Sequence, residues 1–202
     1  ITTKKKKKKK SVSREILSWV MTFAIAIVLA FLINLFLIRP SEVSGRSMLP
    51  NFHQNQMVFI SKMPYIFGSI HRFDVVVIDS EVNVKRTLLT DIKDSLHYNV
   101  ITSTFFKEKS DKFWIKRVIG LPGDVIDFKD NKVYINGEPL TEDYVNSEEP
   151  INYQKEENLP IYPMTIDDDK VFVMGDNRMN STDSRVIGQV PISNIIGKVI
   201  NH

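Results

Sequence analysis

Phe113-Trp114-Ile115-Lys116-Arg117-Val118-Ile119-Gly120-Leu121-Pro122-Gly123-Asp124 places a β-branched and aromatic run directly before a dense turn signal. The run, Phe113 to Ile119, has strand composition, and the Gly-Leu-Pro-Gly-Asp that follows breaks it sharply. Alternation along a strand sets Trp114, Lys116 and Val118 on one face and Ile115, Arg117 and Ile119 on the other. One of the two cations therefore faces inward or lines a cleft. Burial disfavours the charged form of a lysine and lowers its pKa, and a neutral lysine is a competent general base. A lysine on the exposed face of an edge strand is the plainer alternative.

Further segments on both sides of this stretch read the same way. Gln56 to Lys62, Phe73 to Asp79, Val125 to Phe128, Lys132 to Ile135, Lys170 to Met174 and Ile195 to Ile200 all carry strand composition, and Asn136-Gly137 suits a two-residue hairpin turn. Turns at short intervals, with no long amphipathic helix, predict a mainly β, antiparallel domain. Three stretches interrupt it. Met63 to Ile70 is an apolar loop that fits either a membrane surface or the core. Ser80 to Lys112 is a polar insertion in which Leu88, Leu89, Ile92 and Leu96 fall at helical spacing, and Asn146 to Leu159 is a polar surface excursion.

Before the strands lies Ile16 to Ile38, 23 residues without a charge. At about 1.5 Å per residue this reaches roughly 35 Å, enough for a hydrocarbon core of about 30 Å. A cleavable signal peptide has a shorter apolar part, about 7–15 residues, and a small-x-small site after it. Arg39-Pro40-Ser41-Glu42-Val43 offers no such site. The run reads as a retained transmembrane helix. Lys4 to Lys10 and Arg14 precede it and only Arg39 follows closely, so residues 1–15 are expected in the cytoplasm and residues 39–202 outside. The lysines suit contact with anionic lipid. The chain opens at Ile1, and a short N-terminal piece is expected to precede it.

Composition narrows the function classes. The 202-residue chain carries a net charge of +3, but of its 27 basic residues seven are the Lys4 to Lys10 run. The remaining 20 face 24 acidic residues, a balance of −4, so the body has no nucleic-acid footprint. There is no cysteine, which excludes disulfides, thiol nucleophiles and cysteine-ligated metals.

Two further clusters could carry chemistry. Ser44-Gly45-Arg46-Ser47-Met48-Leu49-Pro50 follows the apolar run by a few residues and suits an exposed serine held in a turn. Gly175-Asp176-Asn177-Arg178-Met179-Asn180-Ser181-Thr182-Asp183-Ser184-Arg185 gathers polar groups behind an apolar strand, where an Asp–Arg pair could brace a site.

Together these segments resemble the type I signal peptidases, membrane-bound serine proteases with a Ser–Lys dyad. Gly45 to Pro50 is similar to the nucleophile box of that family. Arg72-Phe73-Asp74-Val75-Val76-Val77 is similar to its Arg-x-Asp-apolar strand, and Lys116 to Asp124 to its lysine box. Gly175-Asp176-Asn177-Arg178 with Ser181-x-Asp183-Ser184-Arg185 is similar to the last box. The resemblance implies a partly open antiparallel β-barrel after one transmembrane helix. Ser47 would be the nucleophile and Lys116 the general base. Ser181 would hydrogen-bond and orient Lys116, and Asp183 and Arg185 would form a supporting ion pair. The Ser47 amide would donate to the oxyanion. Gly45 stands where some members carry a serine that completes the oxyanion hole. Asn51 stands where threonine is frequent and Met179 where aspartate is frequent, neither expected to touch the chemistry.

The implied substrates are secretory preproteins cut after small-x-small motifs, at an enzyme tethered to the bilayer of a Gram-positive cell. Val43, Met48 and Ile115 are the expected lining beside Ser47, with core packing the alternative. No cofactor, metal or nucleic-acid partner is implied. A binding-only β-domain would not need all three boxes. Self-cleaving Ser–Lys repressors carry a DNA-binding segment where this chain has its apolar span, and sortase-like transpeptidases need a cysteine. A Ser-His-Asp triad would have to use His53 or His71, which lie outside the boxes, as do His97 and His202.

Overall fold

The structure is a computed structural model and describes residues 12–36, 38–62, 70–82, 84, 86, 87, 89, 90, 93, 112–145 and 160–200. The lysine run, the Met63 to Ile70 loop except Ile70, the Asn146 to Leu159 excursion and most of the Ser80 to Lys112 insertion lie outside the described residues; of its expected helix Leu89 is described, and it is helical, while Leu88, Ile92 and Leu96 lie outside.

Helix α1, Val12–Phe36, contains nearly all of the apolar run. Its side chains as far as residue 30 are exposed, Leu17, Trp19 and Phe23 each by more than half. By length and composition it is able to cross a membrane. The expected span ended at Ile38, but Ile38 opens β1, Ile38–Glu42. Pro40 explains the early stop: its ring cannot continue a helix and forces Arg39 towards extended backbone.

The other strands are β2 Met57–Ser61, β3 Val75–Asp79, β4 Phe113–Gly120, β5 Val125–Lys129, β6 Lys132–Ile135, β7 Glu138–Pro139, β8 Met164–Thr165, β9 Lys170–Met174, β10 Val190–Pro191 and β11 Ile195–Val199. One four-residue helix, α2, spans Ser184–Ile187. Among the described residues all strand pairs are antiparallel. A curled seven-stranded sheet runs β1-β2-β11-β3-β4-β9-β10 and a four-stranded sheet runs β7-β6-β5-β8. The large sheet ends in β1 and β10 without closing, so the barrel is partly open, as expected. Each of those edge strands contains a proline, Pro40 and Pro191, where a missing N–H breaks no ladder on the outer side.

The hairpins show how local sequence sets register. Asn136 and Gly137 both adopt positive φ between β6 and β7, as the sequence suggests. Asp130 and Asn131 do the same between β5 and β6 without a glycine, because short amide and carboxylate side chains tolerate that region. Three buried clusters then hold the sheets. Val43, Met48, Phe52, Val58 and Val75 belong to one. Ile119, Ile126, Ile166 and Phe172 join the small sheet to the large one. Val76, Ile78, Val118 and Val173 form the third. Strand β4 contributes to all three, which makes it the central element.

Candidate active site

Gly45, at φ +89°, lets the chain turn out of Val43 into a tight bend. In that bend Leu49 N donates to Arg46 O and Phe52 N to Met48 O. Met48 and Phe52 are fully buried and root the bend in the core, so Ser47 stands half-buried at its rim. Sequence spacing located this serine; its exposure follows from where Met48 points.

Lys116 sits in β4 opposite Val76 of β3, and only 3% of it is exposed. A 2.8 Å hydrogen bond joins its Nζ to Ser47 Oγ. The same nitrogen lies 5.5 Å from the centroid of the Trp114 ring, on the face that strand alternation assigns to both residues. Burial pulls the Lys116 pKa down to about 8, partly opposed by the carboxylates of Asp183 and Asp176 and reinforced by Arg185. Both cations of the strand are buried, on opposite faces, where the sequence required only one.

Asp183 anchors the polar loop. Its Oδ2 accepts from Gly175 N, Ser181 Oγ and Arg185 Nη2, and its Oδ1 from Arg185 N and Nε. Burial alone would raise its pKa, but the Arg185 guanidinium and these donors hold the carboxyl below the usual range. The Asp183–Arg185 pair thus forms with Nε to Oδ1 at 2.8 Å, and Arg185 also donates to Arg178 O and Ser181 O. The expected hydrogen bond from Ser181 to Lys116 is not formed among the described residues. The Ser181 hydroxyl donates to Asp183 Oδ2 at 2.8 Å, a charge-assisted bond.

A second polar network fills the opposite face of β4. Arg117 grips Asp176 with two bonds of 2.8 and 2.7 Å, donates to Phe73 O, and stacks 4.2 Å from the Tyr144 ring centroid. Arg178 pairs with Glu142, whose carboxylate also accepts from Tyr144 Oη. Asn51 Nδ2 bridges Asp176 Oδ2 and Tyr144 O, both at 2.8 Å, so it ties the serine bend to this network while touching neither Ser47 nor Lys116. Met179 is 43% exposed. Sequence reading named Asp176 and Arg178 only as members of a polar cluster and assigned nothing to Asn51; Glu142 and Tyr144, more than thirty residues from Arg178 and with no motif around them, gave no signal.

Val43, Met48 and Ile115, expected beside Ser47, are 4%, 1% and 8% exposed and share one core cluster. His53 and His71 are both exposed, and neither is hydrogen-bonded to Ser47; His97 and His202 lie outside the described residues. Among the described residues no group of three or more His, Asp or Glu is placed to hold a metal ion.

With this geometry in view, comparisons with known proteins are informative. A family model described as signal peptidase, peptidase S26, matches residues 16–201. Signal peptidase I P of Bacillus subtilis subsp. natto is 34% identical over 183 residues, covering 90% of this chain and 83% of the relative. Signal peptidase I T of Bacillus subtilis (strain 168) is 33% identical over 202 residues, covering 96% of this chain and 89% of the relative. The crystal structure of a signal peptidase I from Enterococcus faecalis V583 aligns with 66% of this chain and 97% of its own, at 27% identity and a TM-score of 0.42.

Proposed function

The chain belongs to the signal peptidase family, peptidase S26, whose serine proteases remove signal peptides, and we propose that it does so with Ser47 as nucleophile and Lys116 as general base. The observation that carries the reading is the 2.8 Å contact between Lys116 Nζ and Ser47 Oγ, with the amine buried and its pKa pulled down to about 8. A group poised there is neutral in a useful fraction of molecules near neutrality.

Neutral Lys116 takes the Ser47 proton as Oγ attacks the scissile carbonyl. The Ser47 amide donates to the developing oxyanion. Lys116, now protonated, gives its proton to the leaving amine, and water, activated by the same amine, hydrolyses the acyl-enzyme. Asp183 and Arg185 keep the wall behind Lys116 rigid, and Ser181 acts on Lys116 at one remove, by fixing Asp183. Histidine has no part.

Helix α1 anchors the enzyme in the bilayer with residues 1–15 in the cytoplasm and the β-domain outside. Tethering in the membrane that also holds the preprotein's signal segment raises the effective concentration of enzyme. The substrates are secretory preproteins with small residues before the cut. Val43 and Ile115 would form the floor of shallow pockets there, which suits small side chains and excludes large ones, while Met48, 1% exposed, packs in the core.

The test is cleavage of a preprotein with an Ala-x-Ala site by full-length protein in detergent or lipid. Ser47→Ala and Lys116→Ala should each abolish cleavage, and His53→Ala should leave it intact. An active Lys116→Ala would sink the dyad. Wild-type protein that binds the preprotein and cuts nothing would mark a binding module.

A further inference from the structure

One residue of the polar loop holds the nucleophile by its backbone on both sides. Asn177 Nδ2 donates to Arg46 O at 3.1 Å, and Asn177 N donates to Ser47 O at 2.9 Å. These are the two carbonyls that flank Ser47. Its side-chain oxygen is held in turn, accepting from Asn180 Nδ2 at 3.2 Å.

A trans peptide is planar, so its C=O and N–H point in opposite directions. The Arg46–Ser47 peptide is trans. With Arg46 O drawn to Asn177, the Ser47 N–H must point away from Asn177. With Ser47 O drawn to the same residue, the Met48 N–H is turned away too. Neither amide donates a hydrogen bond within the protein among the described residues. Free buried or half-buried amides are rare in folded chains, and two successive ones on one side make a concavity suited to an anion.

We propose that Asn177 is a positioning residue for oxyanion stabilisation: it fixes the peptide planes at Ser47 so that the amide of the nucleophile faces the developing oxyanion. The inference rests on the Ser–Lys reading above and deepens it. It also bears on Gly45, which offers no hydroxyl to a second side of the oxyanion; a backbone clamp lets the amides serve without one. Gly175 makes the clamp possible. A Cβ there would lie 2.5 Å from Ser47 O, so only glycine lets the 175–177 backbone come this close.

The test compares wild type with Asn177→Ala and Asn177→Ser. Three quantities are read: cleavage of an Ala-x-Ala preprotein, inhibition by a peptide aldehyde ending in Ala-x-Ala, and binding of the corresponding uncharged peptide amide. Losing one oxyanion donor outright lowers kcat by about 10²–10³-fold, so a misaimed donor is expected to lower it about 10–100-fold in Asn177→Ala. KM and binding of the amide should stay within about twofold, aldehyde affinity should fall in step with kcat/KM, and the pH at which Lys116 titrates should not move. Asn177→Ser, whose hydroxyl can still donate, should recover part of the loss. Unchanged kcat in Asn177→Ala, or a loss shared equally by amide binding and aldehyde binding, overturns the proposal. So does a loss explained by a displaced pH profile, which would mean Asn177 acts through Lys116. If Asn177→Ala fails to fold, Asn177→Ser decides by the same readouts. Failure of the Ser–Lys reading would show separately, as activity surviving in Lys116→Ala.

Discussion

Lys116 Nζ meets Ser47 Oγ at 2.8 Å across 69 positions of sequence, and each residue arrives there for a different reason. Ser47 is held up by a bend that buries Met48 beneath it. Lys116 is carried inward by a central strand between β3 and β9, and only 3% of the lysine is exposed. Such a lysine is poised for base chemistry because the fold withholds the solvation its charge would need.

Activity should therefore rise with pH through about 8, where Lys116 loses its proton. The expected profile of kcat/KM has its limb near that value, well below the ordinary lysine range. A limb at 10 or above would mean that Lys116 is solvated in the working enzyme.

The same burial should burden stability. The folded pKa lies below the unfolded one, so the unfolded chain binds the extra proton between about pH 8 and 10.5 and stability rises with pH across that window. Lys116→Met keeps the bulk and removes the amine. It should abolish cleavage yet unfold at a higher temperature than wild type at pH 7, and the difference should shrink as pH approaches 10. A Met variant less stable than wild type at pH 7 would show that the lysine is well solvated or well paired.

Asp183 should behave in the opposite sense. Arg185 and the donors around it hold its pKa below the ordinary 3.8, so its contribution is full above that value and lost as pH falls below it. Asp183→Asn leaves Arg185 buried without its counter-charge, and removing one partner of such a pair costs about 3–5 kcal/mol. Urea unfolding at pH 7 measures the loss, and the variant should lose less additional stability than wild type between pH 5 and 3.

Gly175→Ala tests the close approach of the two loops. The new Cβ would press on Ser47 O at 2.5 Å and on Ser181 Oγ closer still. One of those contacts is backbone, so the serine bend must move. The expectation is about 1–3 kcal/mol of destabilisation and at least about a tenfold loss of kcat, because small misplacements of reacting groups are expensive. Wild-type kinetics in this variant would mean that the 175–177 segment does not set the position of Ser47.

Arg117→Lys addresses the network behind the strand. Lysine cannot reproduce the two-pronged grip on Asp176 or the stacking on Tyr144. A loss of about 2 kcal/mol is expected from the missing charge-assisted bonds, measured as a shift in urea midpoint at unchanged slope. The pH limb of activity should stay near 8, since Arg117 lies on the face of β4 away from Ser47.

Seven of the eleven described strands, β2 to β6, β9 and β11, were legible from local composition; β1, β7, β8 and β10 were not, and the errors have local causes. Pro40 ended α1 before Ile38 because the restriction on the residue before a proline outweighs apolar continuity. The Asp130-Asn131 hairpin lacks a glycine and so lacked its usual signature. Helix α2 is four residues long and capped by Asp183, too short to show a period.

Sequence by itself marked the candidates for chemistry, assigned their roles through the family resemblance, and showed on which elements they lie. Motif spacing, strand alternation and turn chemistry are local properties, and they placed Ser47 in a bend, Lys116 on a strand and Asp183 in a polar loop. Only the tertiary structure decided what those groups do to one another. It sent the Ser181 hydroxyl to Asp183, buried both cations of β4, tied Asn51 of the serine bend to Asp176, and brought Asn177 against that bend. Hydrogen-bond partners and solvation depend on distances between segments far apart in the chain, and no local pattern encodes those distances.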